Sequence, residues 1–353
     1  MAKPIIGISQ GDPNGVGLEV VIKTLQHSFI YEYCIPVLYC NPKTFTSTKK
    51  MCNIENYSYT LIRDISEAKE NQLNMIASSN DNFEVQYGKA SLNAGKEAFL
   101  AINRMMQDAK AKKLNAIVTA PVDKSTIKIE QGFTGHTGFI TQYLGAQNSL
   151  MILACEELKV GLITEHVALS KIASLITKDV IINKIKIASE SLKKDFGIVK
   201  PRIAVLGLNP HNGDSGTIGN EEKEIILPAI EQANKEGMFC FGPYSADGFF
   251  GMKNYTKFDL VLAMYHDQGL IPFKSLAFED GINFTAGISI IRTSPDHGTG
   301  YDIAGKNIAL TLSFSNALFA AIDIYKQQNE TAELKSKPLA YQELKRERFR
   351  LEG

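Results

Sequence analysis

Residues 260–270 read LVLAMYHDQGL, an apolar run that ends abruptly at a histidine, an aspartate and a glycine. Within this stretch, the apolar run LVLAMYH ends at His266. Two other runs end in the same way: VGLITEH ends at His166, and IAVLGLNPH ends at His211. Short apolar runs bounded by glycine, proline or polar residues are typical of buried β-strands. The pattern therefore predicts three strands that each lead to a histidine.

Strand-like and helix-like segments alternate along the chain. The runs IIGIS (5–9), IPVLYC (35–40) and NAIVTAPV (115–122) predict strands, and residues 94–114 and 178–196 have apolar side chains at helical spacing. This alternation is typical of an α/β protein with a largely parallel sheet. No repeat or Pro/Ser-rich linker divides the sequence, so composition marks no domain boundary.

The three histidines predict a metal site if their strands lie side by side. Ligands of open parallel sheets bind beyond the carboxyl ends of the strands. Neutral imidazole is the commonest transition-metal ligand, and three of them leave coordination positions open for water or substrate. Each histidine could instead be a core residue with a backbone hydrogen bond, and the residue pattern alone leaves both interpretations open.

Bulk composition excludes several classes of protein. The 353 residues carry 38 basic and 38 acidic side chains, so a nucleic-acid binder with a basic excess is not indicated, and we interpret LKRERFR (344–350) as the solvated face of a helix. No apolar run approaches the ~20 residues of a membrane span. Met1 leads directly into PIIGIS rather than a signal peptide, and the five cysteines lack CxxC spacing, which together predict a reduced, cytoplasmic protein (Cys34, Cys40, Cys52, Cys155, Cys240).

The opening GISQGDPNGVGLEV resembles a nucleotide-binding loop but matches no standard one. GxGxxG fails because Val20 stands three residues after Gly17, and no Gly-Lys pair is followed by Ser or Thr as a P-loop requires. A glycine-rich turn at a helix N-terminus could still seat an anion on its backbone amides.

Six motifs occur in order between about Ile5 and Phe314: GDPNGVGLE, TAPVDK, FTGHT, LNPHNGD, MYHDQGL and GINFTAGISIIRTSPDHGT. Together they resemble the 4-hydroxythreonine-4-phosphate dehydrogenase family of pyridoxal phosphate biosynthesis. MYHDQG and RTSPDHGT are the most specific of them. Gly300 stands where the family usually has alanine, and GDSGTIGNEE (213–222) departs from the family's usual loop sequence.

A broader similarity concerns HGTGYDIAGKNIA (297–309), which resembles the cofactor loop of isocitrate and isopropylmalate dehydrogenases. The resemblance implies two α/β/α domains that share a continuous mixed sheet, with the active-site cleft between them. We expect an NAD domain at 1–130 plus 290–353 and a metal- and dimer-forming domain at 131–289. It also implies a homodimer with the active site at the subunit interface.

The resemblance also implies roles for individual residues. His166, His211 and His266 would bind a divalent cation (zinc, magnesium or cobalt), because three imidazoles select no single metal. The substrate would be held by polar and basic side chains, and the adenosine half of NAD by the loop. The expected substrate contacts are His136, Thr137, Lys274, Asn283 and Arg292. The expected cofactor contacts are His297, Gly298, Thr299, Asp302 and Ile303.

The implied reaction is the NAD-dependent oxidation of 4-phosphohydroxy-L-threonine. A metal that binds the substrate hydroxyl lowers its pKa, so hydride can pass to the nicotinamide. The resulting 2-amino-3-oxo-4-phosphohydroxybutanoate decarboxylates to 3-amino-2-oxopropyl phosphate. Asp302 predicts NAD over NADP, since a carboxylate accepts hydrogen bonds from ribose hydroxyls and repels a 2′-phosphate. Asp247 is a candidate for the proton acceptor, although a solvated surface aspartate is the simpler interpretation.

Two rival functions differ in kind. A paralogous metal- and NAD-dependent dehydrogenase could act on 4-phosphoerythronate or a dihydrodiol carboxylate. Lys274, Asn283 and Arg292 together favour the phosphorylated threonine. A non-catalytic binding protein on the same scaffold would be expected to have lost histidines, and all three are present.

Overall fold

The computed structural model describes residues 2–127, 133 and 135–336 of the chain. Its strands form one mixed sheet in the order β3-β4-β2-β1-β5-β12-β11-β6-β7-β10-β8-β9. The strands are β1 Ile5–Ser9, β2 Ile35–Cys40, β3 Tyr59–Leu61, β4 Leu73–Ala77, β5 Ala116–Thr119, β6 Leu150–Ala154, β7 Lys159–Leu162, β8 Arg202–Leu206, β9 Phe239–Tyr244, β10 Leu260–Ala263, β11 Ile282–Ala286 and β12 Ile291–Pro295.

Helices cover the sheet and connect most of its strands. They are α1 Gly17–Leu25, α2 Ile30–Tyr33, α3 Pro42–Met51, α4 Leu92–Lys110, α5 His136–Tyr143, α6 Leu169–Leu175, α7 Lys178–Lys194, α8 Leu227–Lys235, α9 Ala246–Gly251, α10 His266–Ala277 and α11 Leu312–Ser336. Short 3₁₀ segments occur at Ile65–Glu67, Lys124–Thr126, Pro210–Gly216 and Asn254–Lys257, and a π-helical turn at Glu222–Ile226 precedes α8. In the described part of the chain, no helix has the length and apolarity that a bilayer crossing demands.

The expected α/β class and continuous mixed sheet are confirmed. Strands β1 to β5 and β12 are parallel to one another, as are β7, β10, β8 and β9, whereas β11 is antiparallel to β6 and β12. Thus β12, late in the chain, pairs with β5 of the N-terminal half. The proposed two-domain division stays a prediction. Its boundary at 130/131 and the basic stretch 344–350 lie outside the described residues.

Local sequence explains where elements begin and end. The helix expected at 94–114 is α4, which starts earlier because the Ser91 hydroxyl accepts a hydrogen bond from the Ala94 amide at 3.2 Å. It ends at Lys110, and Lys112 then takes a left-handed backbone with φ of 57°. The strand expected at 115–122 is shorter as well, since Pro121 has no amide hydrogen for the ladder.

Neighbouring strands carry the three histidines, as the opening motif predicted. Strand β10 lies between β7 and β8 and is parallel to both. His166 follows β7, His211 follows β8, and His266 is the first residue of α10, three residues after β10. All three histidines therefore follow strand ends on the same edge of the sheet.

Candidate active site

Two of the three histidines lie together. The ring centroids of His166 and His266 are 5.7 Å apart. The Nδ1 atom of His266 lies 2.7 Å from the Asp267 carboxylate, which orients the ring and leaves its Nε2 free. Burial and the positive charge of Lys124 lower the pKa of His166, so its imidazole is neutral near pH 7, as a metal ligand must be. This pair fits a divalent cation.

His211 is placed differently. It is exposed on the segment Pro210–Gly216, where its backbone is left-handed with φ of 52°. Its imidazole lowers the pKa of nearby Asp247, after the larger effects of the Ser245 hydroxyl and the Gly248 amide. Within residues 2–127, 133 and 135–336, no three His, Cys, Asp or Glu side chains gather closely enough to hold an ion. One chain therefore brings together only His166 and His266 of the predicted set.

The predicted substrate residues share one cavity of about 440 Å³, which His166 and His266 also line. The cavity is bounded by strands β11 and β12, by the first residues of α5 and α10, and by the segments that follow β5, β7 and β12. The sequence thus identified a group of side chains that converge from distant positions. They are His136, Thr137, Lys274, Asn283 and Arg292.

Arg292 is the most unusual of these side chains. It is 2% exposed, and its two terminal nitrogens donate to the Thr285 hydroxyl at 3.1 Å and the Thr119 hydroxyl at 2.8 Å. Its Nε is buried without a hydrogen-bond partner among the described residues, and no carboxylate there lies within 4.0 Å of the guanidinium. Burial lowers the pKa of Arg292 to about 10, so the group stays charged at neutral pH. A buried cation with an unused donor fits an anionic ligand.

The start of α5 adds further donors beside this cation. Gly135 precedes the helix with φ of 110°, and none of the side chains that the structure describes caps the first turn. A Cβ atom at Gly135 would lie 2.7 Å from the Lys124 side chain, so glycine makes room for that lysine at the cavity wall. Burial, Arg292 and Lys124 lower the pKa of His136 well below its usual value. Uncapped amides next to two cations are a typical anion site.

A lysine–aspartate pair lines the cavity as well. The Lys274 ammonium lies 3.5 Å from the Asp296 carboxylate and 3.5 Å from the Asp296 carbonyl oxygen. Burial raises the pKa of Asp296, and Lys274 opposes that shift. Glu165, another cavity carboxylate, is 3.8 Å from the ammonium of Lys184.

Sequence reasoning missed several cavity residues. Thr119 and Lys124 are the first and last residues of TAPVDK, and Asp296 lies within SPDHGT, yet these motifs carried only the family resemblance. A usable signal was present, since each of these side chains closes or follows a buried strand, β5 or β12. Polar residues at such strand ends tend to face the ligand.

The cofactor loop packs against the glycine-rich turn near the N-terminus. The Val16 amide donates to the Thr299 carbonyl at 2.8 Å, and the Tyr301 hydroxyl donates to the Asp12 carboxylate at 2.8 Å. A Cβ atom at Gly15 would lie 2.6 Å from the Thr299 carbonyl oxygen, so this approach requires glycine. The turn thus positions the loop.

Three amides of the same turn, which precede α1, already have partners inside the protein, and an anion seat on the first amides of α1 stays a prediction. The Asn14 amide donates to the Asp12 side chain at 2.9 Å, and the Gly15 amide to the Asp12 carbonyl at 3.1 Å. With Val16 bonded to Thr299, these three amides are used inside the protein.

Residues of the cofactor loop differ in where they lie. His297 and Gly298 line the cavity, and Asp302 is exposed on the loop, whereas Ile303 packs partly against the core. Gly300, the departure from the family's alanine, has φ of 54°, a left-handed conformation that glycine adopts without strain. The unusual residue therefore suits the loop's backbone.

Asp247 does not line the cavity. It is an exposed residue of α9 and accepts a hydrogen bond from the Ser245 hydroxyl at 2.6 Å. Within one chain it is close to His211 rather than to the pair of His166 and His266. Its role as a proton acceptor stays a prediction.

Known proteins resemble this chain over most of its length. The family profile described as "Pyridoxal phosphate biosynthetic protein PdxA" matches residues 32–321. A Bacteroides thetaiotaomicron protein named 4-hydroxythreonine-4-phosphate dehydrogenase is 46% identical over 96% of this chain and 93% of its own length. A Clostridium botulinum protein named "Putative D-threonate 4-phosphate dehydrogenase" is 38% identical over 90% of this chain and 96% of its own.

A solved structure agrees with these relatives. The crystal structure of 4-hydroxythreonine-4-phosphate dehydrogenase from Klebsiella pneumoniae superposes with a TM-score of 0.80 at 32% identity, and covers 92% of this chain and 100% of that one. Profile, sequence and structure converge on one assignment. The chain belongs to the PdxA family of pyridoxal phosphate biosynthetic proteins.

Proposed function

We propose that this chain is a metal-dependent dehydrogenase that oxidises 4-phosphohydroxy-L-threonine with NAD. The product would decarboxylate to 3-amino-2-oxopropyl phosphate on the route to pyridoxal phosphate. The observation that carries the proposal is Arg292, a buried guanidinium that lacks a carboxylate partner among the described residues and borders a cavity lined by two histidines. The 46% identical relative of the same name supports it.

The phosphate group of the substrate would lie against Arg292 and the start of α5. Arginine donates to phosphate in a bidentate manner, and the uncapped amides of His136 and Thr137 add donors in line with the helix dipole. Lys124 would add a third positive contribution at the cavity wall. Because Thr119 and Thr285 hold the guanidinium in place, it need not reorganise when the phosphate binds.

His166 and His266 would hold the divalent cation, which when bound would lower the pKa of the substrate hydroxyl. Since His211 lies apart within one chain, its membership of the ligand set requires a rearranged loop or a second copy of the chain. Exposed apolar side chains next to the pair, Leu169 (72% exposed) and Ile271 (65%), support a homodimer at this edge.

NAD would lie along the loop that contains His297 and Gly298, since both line the cavity next to the proposed substrate. Thr299 and Ile303 would shape the loop through its backbone. The exposed Asp302 carboxylate would accept hydrogen bonds from the ribose hydroxyls, which favours NAD over NADP.

Asp247 would act as proton acceptor only if the proposed dimer brings it to a cavity. The Asp247→Asn variant tests this: a turnover that keeps the wild-type pH dependence would eliminate the role. The two-domain division at 130/131 and 289/290 and a cytoplasmic location belong to the same proposal.

The direct experiment measures NADH formation at 340 nm from 4-phosphohydroxy-L-threonine, first with chelator and then with zinc, magnesium, cobalt or manganese restored singly. Activity that depends on an added metal is the expected result. No absorbance change with any of them would contradict the proposal.

A second candidate function follows from the relatives. The Clostridium botulinum protein, 38% identical, is named for D-threonate 4-phosphate, which carries a 2-hydroxyl in place of the 2-amino group. Comparing both compounds, together with 4-phosphoerythronate and a dihydrodiol carboxylate, in the same assay decides between the candidates.

A further inference from the structure

The charges of the cavity are arranged along one face of two paired strands. Asn283 of β11 pairs with Ser294 of β12 across an antiparallel ladder. Arg292, Ser294 and Asp296 alternate along the chain and all line the cavity. The face therefore begins at a buried cation and ends, four residues later, at a carboxylate.

The two ends of this face differ in their partners. Among the described residues, Arg292 is bonded to hydroxyls alone, whereas Asp296 lies 3.5 Å from the Lys274 ammonium, a long distance for a charged hydrogen bond. The Asp296 side chain is 13% exposed, compared with 40% for Lys274. The Arg292 end of the face thus carries a net positive charge, whereas Lys274 and Asp296 form a loose ion pair at the other end.

An α-amino acid head has the opposite arrangement to the Lys274–Asp296 pair. Its ammonium and carboxylate stand on adjacent carbons, so a lysine can face the carboxylate while an aspartate faces the ammonium. Two ion pairs then replace one long contact, without net change of charge. Burial raises the pKa of Asp296, and a bound ammonium would relieve that cost.

We propose that the Asp296 carboxylate binds the α-ammonium group of the substrate, with Lys274 against the α-carboxylate, so that the site selects 2-amino over 2-hydroxy acids. This specificity role rests on the proposed function and deepens it. The side-chain oxygen of Asn283, buried without a partner among the described residues, is a further acceptor for the ammonium.

Glu165 is the competing carboxylate in the cavity. It is adjacent to His166, and its oxygen already lies 3.8 Å from the Lys184 ammonium, which is 17% exposed. Burial lowers the pKa values of Arg292 and His166, and the charge of Glu165 opposes both shifts, so Glu165 lies toward the Arg292 end of the cavity. Asp296 instead lies beside Lys274 at the other end. The geometry therefore favours Asp296 for the ammonium.

The test compares 4-phosphohydroxy-L-threonine with D-threonate 4-phosphate on the full chain, in the wild type and in the Asp296→Asn and Glu165→Gln variants. Calorimetry gives each dissociation constant, and NADH formation gives each kcat/KM. In Asp296→Asn we expect affinity and kcat/KM for the amino acid to fall about 10- to 100-fold, since a charged hydrogen bond is lost. Values for the 2-hydroxy acid should change less than about threefold, because the neutral hydroxyl can donate to the new amide as well.

Equal losses for both compounds in Asp296→Asn would overturn the inference, as would a shift in selectivity that appears in Glu165→Gln instead. Circular dichroism and the dissociation constant of inorganic phosphate, which should match the wild type, show that the variant is folded with its cation end intact. The proposed function would be contradicted by a different result, namely that the wild type forms NADH from neither compound. In that case the dissociation constants of the two compounds, measured by calorimetry in the wild type and in Asp296→Asn, still test the role of Asp296.

Discussion

Replacing Arg292 by methionine removes a buried cation from the proposed phosphate site. Burial lowers the pKa of Arg292 to about 10, and one pKa unit corresponds to about 1.4 kcal/mol, so the charged group destabilises the folded state by about 3 kcal/mol. Because the folded pKa is depressed, this cost is present at every pH below about 10 and disappears only as the pH rises further. Losing the bonds to Thr119 and Thr285 costs about 1 kcal/mol each. The variant should therefore be as stable as the wild type, or about 1 kcal/mol more stable.

Although Arg292→Met should be at least as stable as the wild type, its dehydrogenase activity should fall. Two charge-assisted hydrogen bonds to the phosphate, about 1.5–3 kcal/mol each, would be lost in Arg292→Met, which predicts a fall in kcat/KM of roughly 10²- to 10⁴-fold. Arg292→Lys keeps the charge but not the planar fork, so its loss should be smaller. Initial rates at 340 nm and thermal unfolding followed by circular dichroism measure the two effects.

A matched control is Arg104→Met on α4, where the guanidinium pairs with Asp108 at 2.6 Å outside the cavity. This variant should keep wild-type kinetics. The reasoning about Arg292 would be refuted if Arg292→Met kept its activity within about tenfold of the wild type. It would also be refuted if activity were lost together with more than about 3 kcal/mol of stability.

Three further predictions concern neighbouring groups. His136 should stay neutral below pH 6.5 in an NMR titration, because burial and two cations oppose its positive charge. Below that pH the unfolded chain binds a proton at His136 that the folded chain does not, so the free energy of unfolding falls as the pH is lowered. His136→Gln should remove this part of the pH dependence of stability. Tyr301→Phe removes the bond to Asp12 and should raise KM for NAD about 2- to 10-fold with little change in kcat, whereas an effect on kcat alone would contradict the positioning role. Asp302→Ala should narrow the preference for NAD over NADP in steady-state kinetics, and an unchanged ratio would exclude this residue as the discriminating group.

Much of the fold could be predicted because its strands are short apolar runs with clear ends. The runs at 5–9 and 35–40 coincide with β1 and β2, and the histidine-terminated runs are indeed three neighbouring parallel strands. Their strands end three to five residues before each histidine, because the remaining residues form turns toward the sheet edge. The pairing of β12 with β5 depends on contacts between distant parts of the chain, which local patterns do not show.

The site was predictable in its members and less so in its geometry. The family resemblance assigned the substrate residues one by one, and these residues line one cavity. The exposure of His211 and Asp247, in contrast, depends on loop conformation. His211 lies in a run of left-handed residues within Pro210–Gly216, is exposed and does not line the cavity, and spacing along the chain gives no indication of this. The partners of Arg292 were likewise hidden, since Thr119 is 173 residues away.

The most direct measurement of the central claim is a crystal structure of the full chain with 4-phosphohydroxy-L-threonine and manganese. We expect the phosphate to accept hydrogen bonds from Arg292 and from the first turn of α5, with anomalous density for the metal beside His166 and His266. A ligand bound elsewhere, with Arg292 untouched and no metal between those two imidazoles, would contradict the account.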